Sequence, residues 1–208
     1  MKPYYDHKGV TIYHGDCRAV SLEVKADSVL TDPPYGVNKA EWDAQFPEWC
    51  FDVCANMAPV FGIMPGVWNL PSCREKVAGN GAWIRYQWTL IAHLVNGMTN
   101  GRIGFGNYIP CLLYATDGVS VWKQDGDIKD FVVGMEPKQE HPSPKPLNVI
   151  KWFLSRLPGE SVCDPFMGSG STLEAAKALG RQAIGIEREE KYCEIAAKRL
   201  SQEVLEFT

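Results

Sequence analysis

The sequence has no apolar run approaching the roughly 20 residues that a membrane-spanning helix needs. Its first residues, Met1-Lys2-Pro3-Tyr4-Tyr5-Asp6, lack the apolar centre of a secretory signal. Both absences point to a cytoplasmic chain with no membrane partner. The seven cysteines contain no C-x-x-C pair, and the four histidines form no H-E-x-x-H, so neither a zinc ribbon nor a zincin site is indicated and no metal is expected. Cys50 and Cys54, four residues apart, read as reduced thiols on one helical face. Positive charge is not in excess: 21 Lys and Arg stand against 25 Asp and Glu, a net charge of −4. An overall basic footprint for nucleic acid is absent, which counts mildly against binding by charge alone and leaves a local basic cleft open. Repeats and low-complexity tracts are absent. With 208 residues, 45% of them hydrophobic, the chain suits a single domain spanning 1–208 with one substantial core rather than a disordered segment.

What is present reads as alternating strands and helices. Val10–Tyr13 is β-rich and ends at His14-Gly15-Asp16. Ala26–Thr31 is a short apolar strand that Asp32-Pro33-Pro34 must stop, because two prolines cannot continue a central ladder. A helix is expected over Glu48–Met57, a strand with a Pro-Gly break over Phe61–Trp68, and a buried strand over Ile109–Ala115. Trp83–Leu94 suits either strand or helix. Residues 116–140, rich in charge, Gly and Pro with Asp125-Gly126 as a turn signal, read as an insertion. Leu147–Leu157 places apolar residues at 147, 149, 150, 153, 154 and 157, an amphipathic helix that Pro158-Gly159 ends. The last third is clearest: strand Ser161–Cys163, Gly-rich turn Asp164–Ser171, helix Thr172–Leu179, strand Gln182–Ile186 and helix Glu189–Leu200. Such a βαβα unit implies a parallel sheet.

A strand, a Gly-rich turn and a helix start make a recurrent nucleotide-type site. Gly168 and Gly170 let a ligand approach the backbone. Glu187 ends the next strand 19 residues after Gly168, near the spacing of roughly 20 at which a carboxylate accepts ribose hydroxyls. The pattern is not G-x-G-x-x-G, and Asp164 would repel a pyrophosphate. A cationic ligand bearing an amino group, a sulfonium and a ribose suits two carboxylates better, and S-adenosylmethionine is such a ligand.

The other motif is Thr31-Asp32-Pro33-Pro34-Tyr35-Gly36. An exocyclic amino group on a nucleobase is a weak nucleophile because its lone pair is delocalised into the ring. Acceptors around its two hydrogens draw it toward tetrahedral geometry. Asp32 supplies one acceptor, and a carbonyl of Pro33 or Pro34 the other, held rigidly by rings without N–H groups. Tyr35 offers a face for stacking, worth about 1–3 kcal/mol per base. The base must leave the duplex to reach it, which costs a few kcal/mol.

These segments resemble the DNA amino-methyltransferases of the N6-adenine/N4-cytosine type, in the permuted order with the catalytic tetrapeptide before the cofactor loop. The resemblance rests on His14-Gly15-Asp16-Cys17, on 31–36, on HPSPKP at 141–146, on DPFMGSGST at 164–172 and on the tail at 184–200, and it is weak over 37–140. It implies a Rossmann-like α/β fold, a mostly parallel seven-stranded sheet with helices on both faces. It implies methyl transfer from S-adenosylmethionine to adenine N6 in double-stranded DNA, by in-line displacement on a flipped base. Asp32, Pro33, Pro34 and Tyr35 would be the catalytic motif. Asp164, Phe166, Gly168, Ser169, Gly170 and Thr172 would form the cofactor loop, with Glu187 at the ribose and Asp16 near the adenine. His141 and Lys145 would flank the methionine end, Lys145 near the cofactor carboxylate.

Asp32 leans the target toward adenine, since serine at this place is commoner among cytosine-N4 enzymes of the family. Cytosine N4, RNA or protein acceptors and a silent binding relative remain alternatives. The stretch 116–140 is short for a target-recognition segment, so a short target or a second subunit, as in a homodimer, is expected. Trp122 and Lys123 are candidates for base readout, and Arg74, Lys76, Arg85 and Arg102 for phosphate contacts. Pro110-Cys111 is the one Pro-Cys pair, and its apolar setting reads as structural rather than nucleophilic.

Overall fold

The computed structural model describes residues 1–37, 43–73, 75–94, 107–119, 131–134 (backbone only) and 145–201. Among them are ten strands in one mixed sheet: β1 Tyr5–His7, β2 Val10–His14, β3 Ser28–Thr31, β4 Val60–Ile63, β5 Lys76–Val77, β6 Trp83–Leu94, β7 Asn107–Thr116, β8 Phe131–Gly134, β9 Ser161–Asp164 and β10 Gln182–Glu187. The helices are α1 Cys17–Val20, α2 Cys50–Met57, α3 Leu147–Ser155, α4 Ser171–Ala178 and α5 Glu190–Ser201.

The sheet order is β1-β2-β10-β9-β3-β4-β7-β6-β5, with β8 beside β6. Five central strands, β2, β10, β9, β3 and β4, run parallel, and β7 is antiparallel to both β4 and β6. The expected seven-stranded sheet is thus β2-β10-β9-β3-β4-β7-β6, and three short strands, β1, β5 and β8, are added to it. The central strands alternate between two cores. Leu30, Val60, Leu113 and Val162 join the helices α3, α4 and α5 on one face. Val29, Phe61, Leu112 and Cys163 join α1 and α2 on the other. That alternation follows from the period-two geometry of a strand buried on both faces.

The α3 stripe is as expected, with Val149, Ile150, Phe153 and Leu154 buried. Cys50 and Cys54 are both buried on α2, and Cys111 is buried in β7. The expected strand Phe61–Trp68 ends instead at Ile63. Pro65 has no N–H to donate, Gly66 turns at φ 68°, and Val67–Ser72 form a 3-10 turn. Trp83–Leu94 resolves as a strand because it pairs along β7 from Ile84–Thr116 to Leu94–Asn107, with a bulge between Tyr86 and Trp88. Of the insertion expected at 116–140, the described part holds the end of β7 and the strand β8, and the Asp125-Gly126 turn lies outside the described residues.

This topology creates a crevice. From β9 the chain order moves outward to β10 on one side, while β3 leads to β4 on the other. The β3–β9 ladder covers Ser28–Val162 and Val29–Cys163 and stops before the C-terminal ends of both strands. Ligands of open α/β sheets bind at such a switch point, beyond the carboxyl ends of the strands.

Candidate active site

Five parallel strands deliver their C-terminal residues to one cleft of about 650 Å³, within the roughly 300–1,000 Å³ typical of small-molecule sites. After β3 comes Asp32–Tyr35 and after β9 the Gly-rich turn, while Glu187 ends β10. Gly15-Asp16 follows β2 and Met64 follows β4. Of the predicted site residues, Asp16, Asp32, Pro33, Pro34, Tyr35, Lys145, Asp164, Phe166, Gly168, Ser169, Thr172 and Glu187 all line this cleft. Gly170 does not. It caps the start of α4 at φ 86°, and a Cβ there would sit 3.0 Å from that of Ala196, so the glycine serves the packing of α4 on α5. His141 lies outside the described residues, as do Arg74, Arg102, Trp122 and Lys123. Arg85 is exposed on β6, with its Nε 3.7 Å from Asp117. Lys76 falls in β5.

The tetrapeptide is tied down at both ends. The Tyr35 hydroxyl donates to Asp32 Oδ1 at 2.5 Å, and Lys145 Nζ forms an ion pair with Asp32 Oδ2. The N–H groups of Tyr35 and Gly36 both donate to Asp43 Oδ1, at 2.6 and 2.7 Å. Asn69 Nδ2 donates to the carbonyls of Tyr35 (2.9 Å) and Pro65 (2.8 Å). Burial, then the charge of Asp32, pushes the Tyr35 hydroxyl well above its ordinary range, so it remains a donor. Burial opposes the charge on Lys145, but the facing Asp32 and Tyr35 outweigh it and hold the ammonium protonated.

The Gly-rich turn is organised by two carboxylates. Asp164 Oδ1 accepts the Thr31 hydroxyl at 2.6 Å and the Phe166 N–H at 3.0 Å, bridging the two strands at the switch point. Burial raises its carboxyl to about 6, against the pull of bonds from Thr31, Thr172 and Phe166. Glu187 accepts the N–H of Gly168 at 3.1 Å and that of Glu189 at 2.7 Å. Burial again raises its carboxyl, and those backbone donors oppose the rise. Among the described residues neither Asp164 nor Glu187 has a salt-bridge partner. Asp16 differs: it caps α1 and is held by Arg18, whose bonds lower its carboxyl below the ordinary range.

Four contributors escaped the sequence reading. Trp49 lies against Phe166, with centroids 5.6 Å apart and planes at 34°. Arg18 sits 5.0 Å over Trp49. Asp43 and Asn69 clamp the tetrapeptide. Asp43 offered a faint local signal as an acidic residue eight positions beyond Tyr35, and Arg18 one as the cation two positions after Asp16; Trp49 and Asn69 reach the site only through tertiary contacts.

An α/β sheet with a crevice at its switch point is an architecture that recurs among nucleotide-binding proteins. Comparison with known proteins narrows it. The profile of the N6/N4 DNA methylase family matches residues 74–198, more than half of the chain. The type II methyltransferase M.HinfI of Haemophilus influenzae is 43% identical over 76 residues, which make up 36% of this chain and only 21% of that protein. The DNA adenine methyltransferase YhdJ of Escherichia coli is 26% identical, over 94% of this chain and 84% of that protein. The crystal structure of the M1.HpyAVI–SAM complex superposes with a TM-score of 0.72 at 25% identity, covering 91% of this chain and 99% of that one. The cytosine-N4-specific PvuII DNA methyltransferase superposes at 0.66 and 17% identity, over 98% of this chain and 90% of that one. The chain belongs to the N6/N4 DNA methylase family.

Among the described residues no helix is long and apolar enough to cross a membrane, and no group of three or more His, Cys, Asp or Glu could hold a metal ion.

Proposed function

We propose that the chain transfers a methyl group from S-adenosylmethionine to the N6 amino group of adenine in double-stranded DNA. The observation that carries this is the charge pattern of the cleft. Two carboxylates without cationic partners among the described residues, the buried Asp164 and the half-buried Glu187, share it with the Asp32–Tyr35 tetrapeptide. Uncompensated buried carboxylates favour a cationic ligand, because a fixed opposite charge offsets their lost hydration. The donor set therefore fits S-adenosylmethionine, whose chemistry is to supply an electrophilic methyl on a cationic sulfur. M1.HpyAVI, which shares the fold, is known as a SAM complex.

In this reading Glu187 accepts the ribose hydroxyls, and Asp164 with the backbone of Gly168 and Ser169 faces the amino-acid end. Phe166 and Trp49 form the wall for the adenine ring, beside Asp16. Thr172 and Gly170 fix the start of α4 under the loop. Asp32 accepts from the target amino group together with a carbonyl of Pro33 or Pro34, and Tyr35 presents its ring to the flipped base. Adenine is preferred over cytosine on the strength of Asp32 and of the likeness to YhdJ, named an adenine methyltransferase. The segment 116–140 contributes target recognition, and a second copy of the chain supplies the surface that so short a segment leaves out.

The test is transfer of labelled methyl from S-adenosylmethionine to unmethylated duplex DNA, with Asp32→Ala in parallel. The reading expects transfer by the wild type and none by the variant, with cofactor affinity retained in calorimetry. Near-normal turnover by Asp32→Ala would refute the role of Asp32.

A further inference from the structure

Lys145 was expected at the cofactor carboxylate, yet the contacts it makes are to the tetrapeptide. Its Nζ pairs with Asp32 Oδ2 and lies 5.1 Å from the centroid of the Tyr35 ring. The side chain is only 13% exposed. Its backbone is fixed from the C-terminal side. Pro146 follows, which restricts the lysine to extended geometry, and the Pro146 carbonyl accepts the Ile150 N–H at 3.0 Å in the first turn of α3. That helix is anchored through Val149, Ile150, Phe153 and Leu154 in the core. The lysine is thus built onto a rigid element and aimed at one carboxylate.

The consequence for Asp32 is geometric. One oxygen accepts the Tyr35 hydroxyl and the other accepts Lys145. An ionised carboxylate offers about two acceptor directions on each oxygen, so both oxygens keep one direction for another donor while the plane of the group is locked.

We infer that Lys145 is a positioning residue: it orients Asp32 and keeps it an acceptor toward the target amino group, instead of binding the cofactor carboxylate. This rests on the methyl-transfer reading above. Misalignment of about 1 Å in a reacting group costs on the order of a hundredfold in rate, which sets the expected effect.

The test compares wild type, Lys145→Met and Lys145→Arg. The readouts are S-adenosylmethionine affinity by calorimetry and single-turnover methyl transfer to duplex DNA at saturating cofactor. The expected result is a fall in the transfer rate on the order of a hundredfold for Lys145→Met, with cofactor affinity retained and much of the rate restored in Lys145→Arg. Independently of activity, lysine-selective NMR of the Asp32→Asn protein should show Lys145 titrating lower than in wild type. A tenfold or greater loss of affinity in Lys145→Met with transfer intact would overturn the assignment in favour of a cofactor contact. So would unimpaired transfer with intact affinity, or an unmoved Lys145 titration. If the wild type transfers no methyl to DNA, the methyl-transfer reading itself falls and takes this role with it; an active wild type with an unimpaired Lys145→Met removes this role alone.

Discussion

Replacing Asp164 by Asn should stabilise the ligand-free protein at neutral pH while weakening its hold on a cationic cofactor. The side chain is 2% exposed and accepts the Thr31 hydroxyl and the Phe166 N–H on the same oxygen. Asn keeps the size and can keep that acceptor, but it carries no charge. Burial raises the native carboxyl from 3.8 to about 6. Between those pH values the native state holds a proton that the unfolded chain has released, so this group makes stability fall as pH rises through the window. A rise of roughly two pH units at 1.36 kcal/mol each gives about 3 kcal/mol, fully present above about pH 6 and absent below about pH 4. Urea denaturation of both proteins without cofactor, at about pH 4 and about pH 7.5, isolates Asp164 from the other carboxylates. The expected result is near-equal stability at the lower pH and an advantage for Asp164→Asn of up to about 3 kcal/mol at the higher. Saturating S-adenosylmethionine should narrow that gap, because only the wild type presents the charge. The same difference at both pH values, or a wild type more stable than the variant at pH 7.5, would refute the reasoning.

Three further outcomes are expected. Glu187→Ala removes a charge-assisted contact to the ribose and should weaken S-adenosylmethionine binding by about 1.5–3 kcal/mol, roughly 10- to 150-fold in Kd; unchanged calorimetric affinity would count against the ribose role. Gly170→Ala forces a left-handed residue at φ 86° and crowds Ala196, so its denaturation free energy should drop by about 1–3 kcal/mol; an unshifted midpoint would show that the α4–α5 contact yields freely. Asp43→Ala leaves the N–H groups of Tyr35 and Gly36 without their acceptor. It should slow single-turnover transfer on the order of 10- to 100-fold while leaving cofactor affinity intact, and an equal loss in both quantities would mean the whole cleft had shifted.

The C-terminal unit was legible because its signals are local. Gly168, Gly170 and Glu187 sit at fixed spacings within one βαβα segment, and the α3 stripe repeats every three or four residues. The stop after Thr31 was legible too, since Pro33 and Pro34 forbid a continued ladder. What escaped depends on distant partners. Trp83–Leu94 is equally apolar as helix or strand, and only its register with β7 decides. The pairing of Lys145 with Asp32 spans 113 residues, and that of Thr31 with Asp164 spans 133. The end of β4 at Ile63 is a local matter: the Pro65-Gly66 break was visible, but the apolar Val67 and Trp68 suggested a strand resuming beyond it, where the chain forms a 3-10 turn. The four-residue α1 is too short for any periodicity and is held by the Asp16 cap and by burial of Cys17 and Val20.

The most direct test of the central claim is the identity of the methylated nucleoside. Purified protein, unmethylated duplex DNA and methyl-labelled S-adenosylmethionine are incubated, the DNA is digested, and the labelled nucleoside is identified by mass spectrometry. The account predicts label on N6-methyl-2′-deoxyadenosine. Label on N4-methyl-2′-deoxycytidine would keep the acceptor chemistry of Asp32 and overturn the choice of base, and DNA without label from a protein that binds the cofactor would contradict the account.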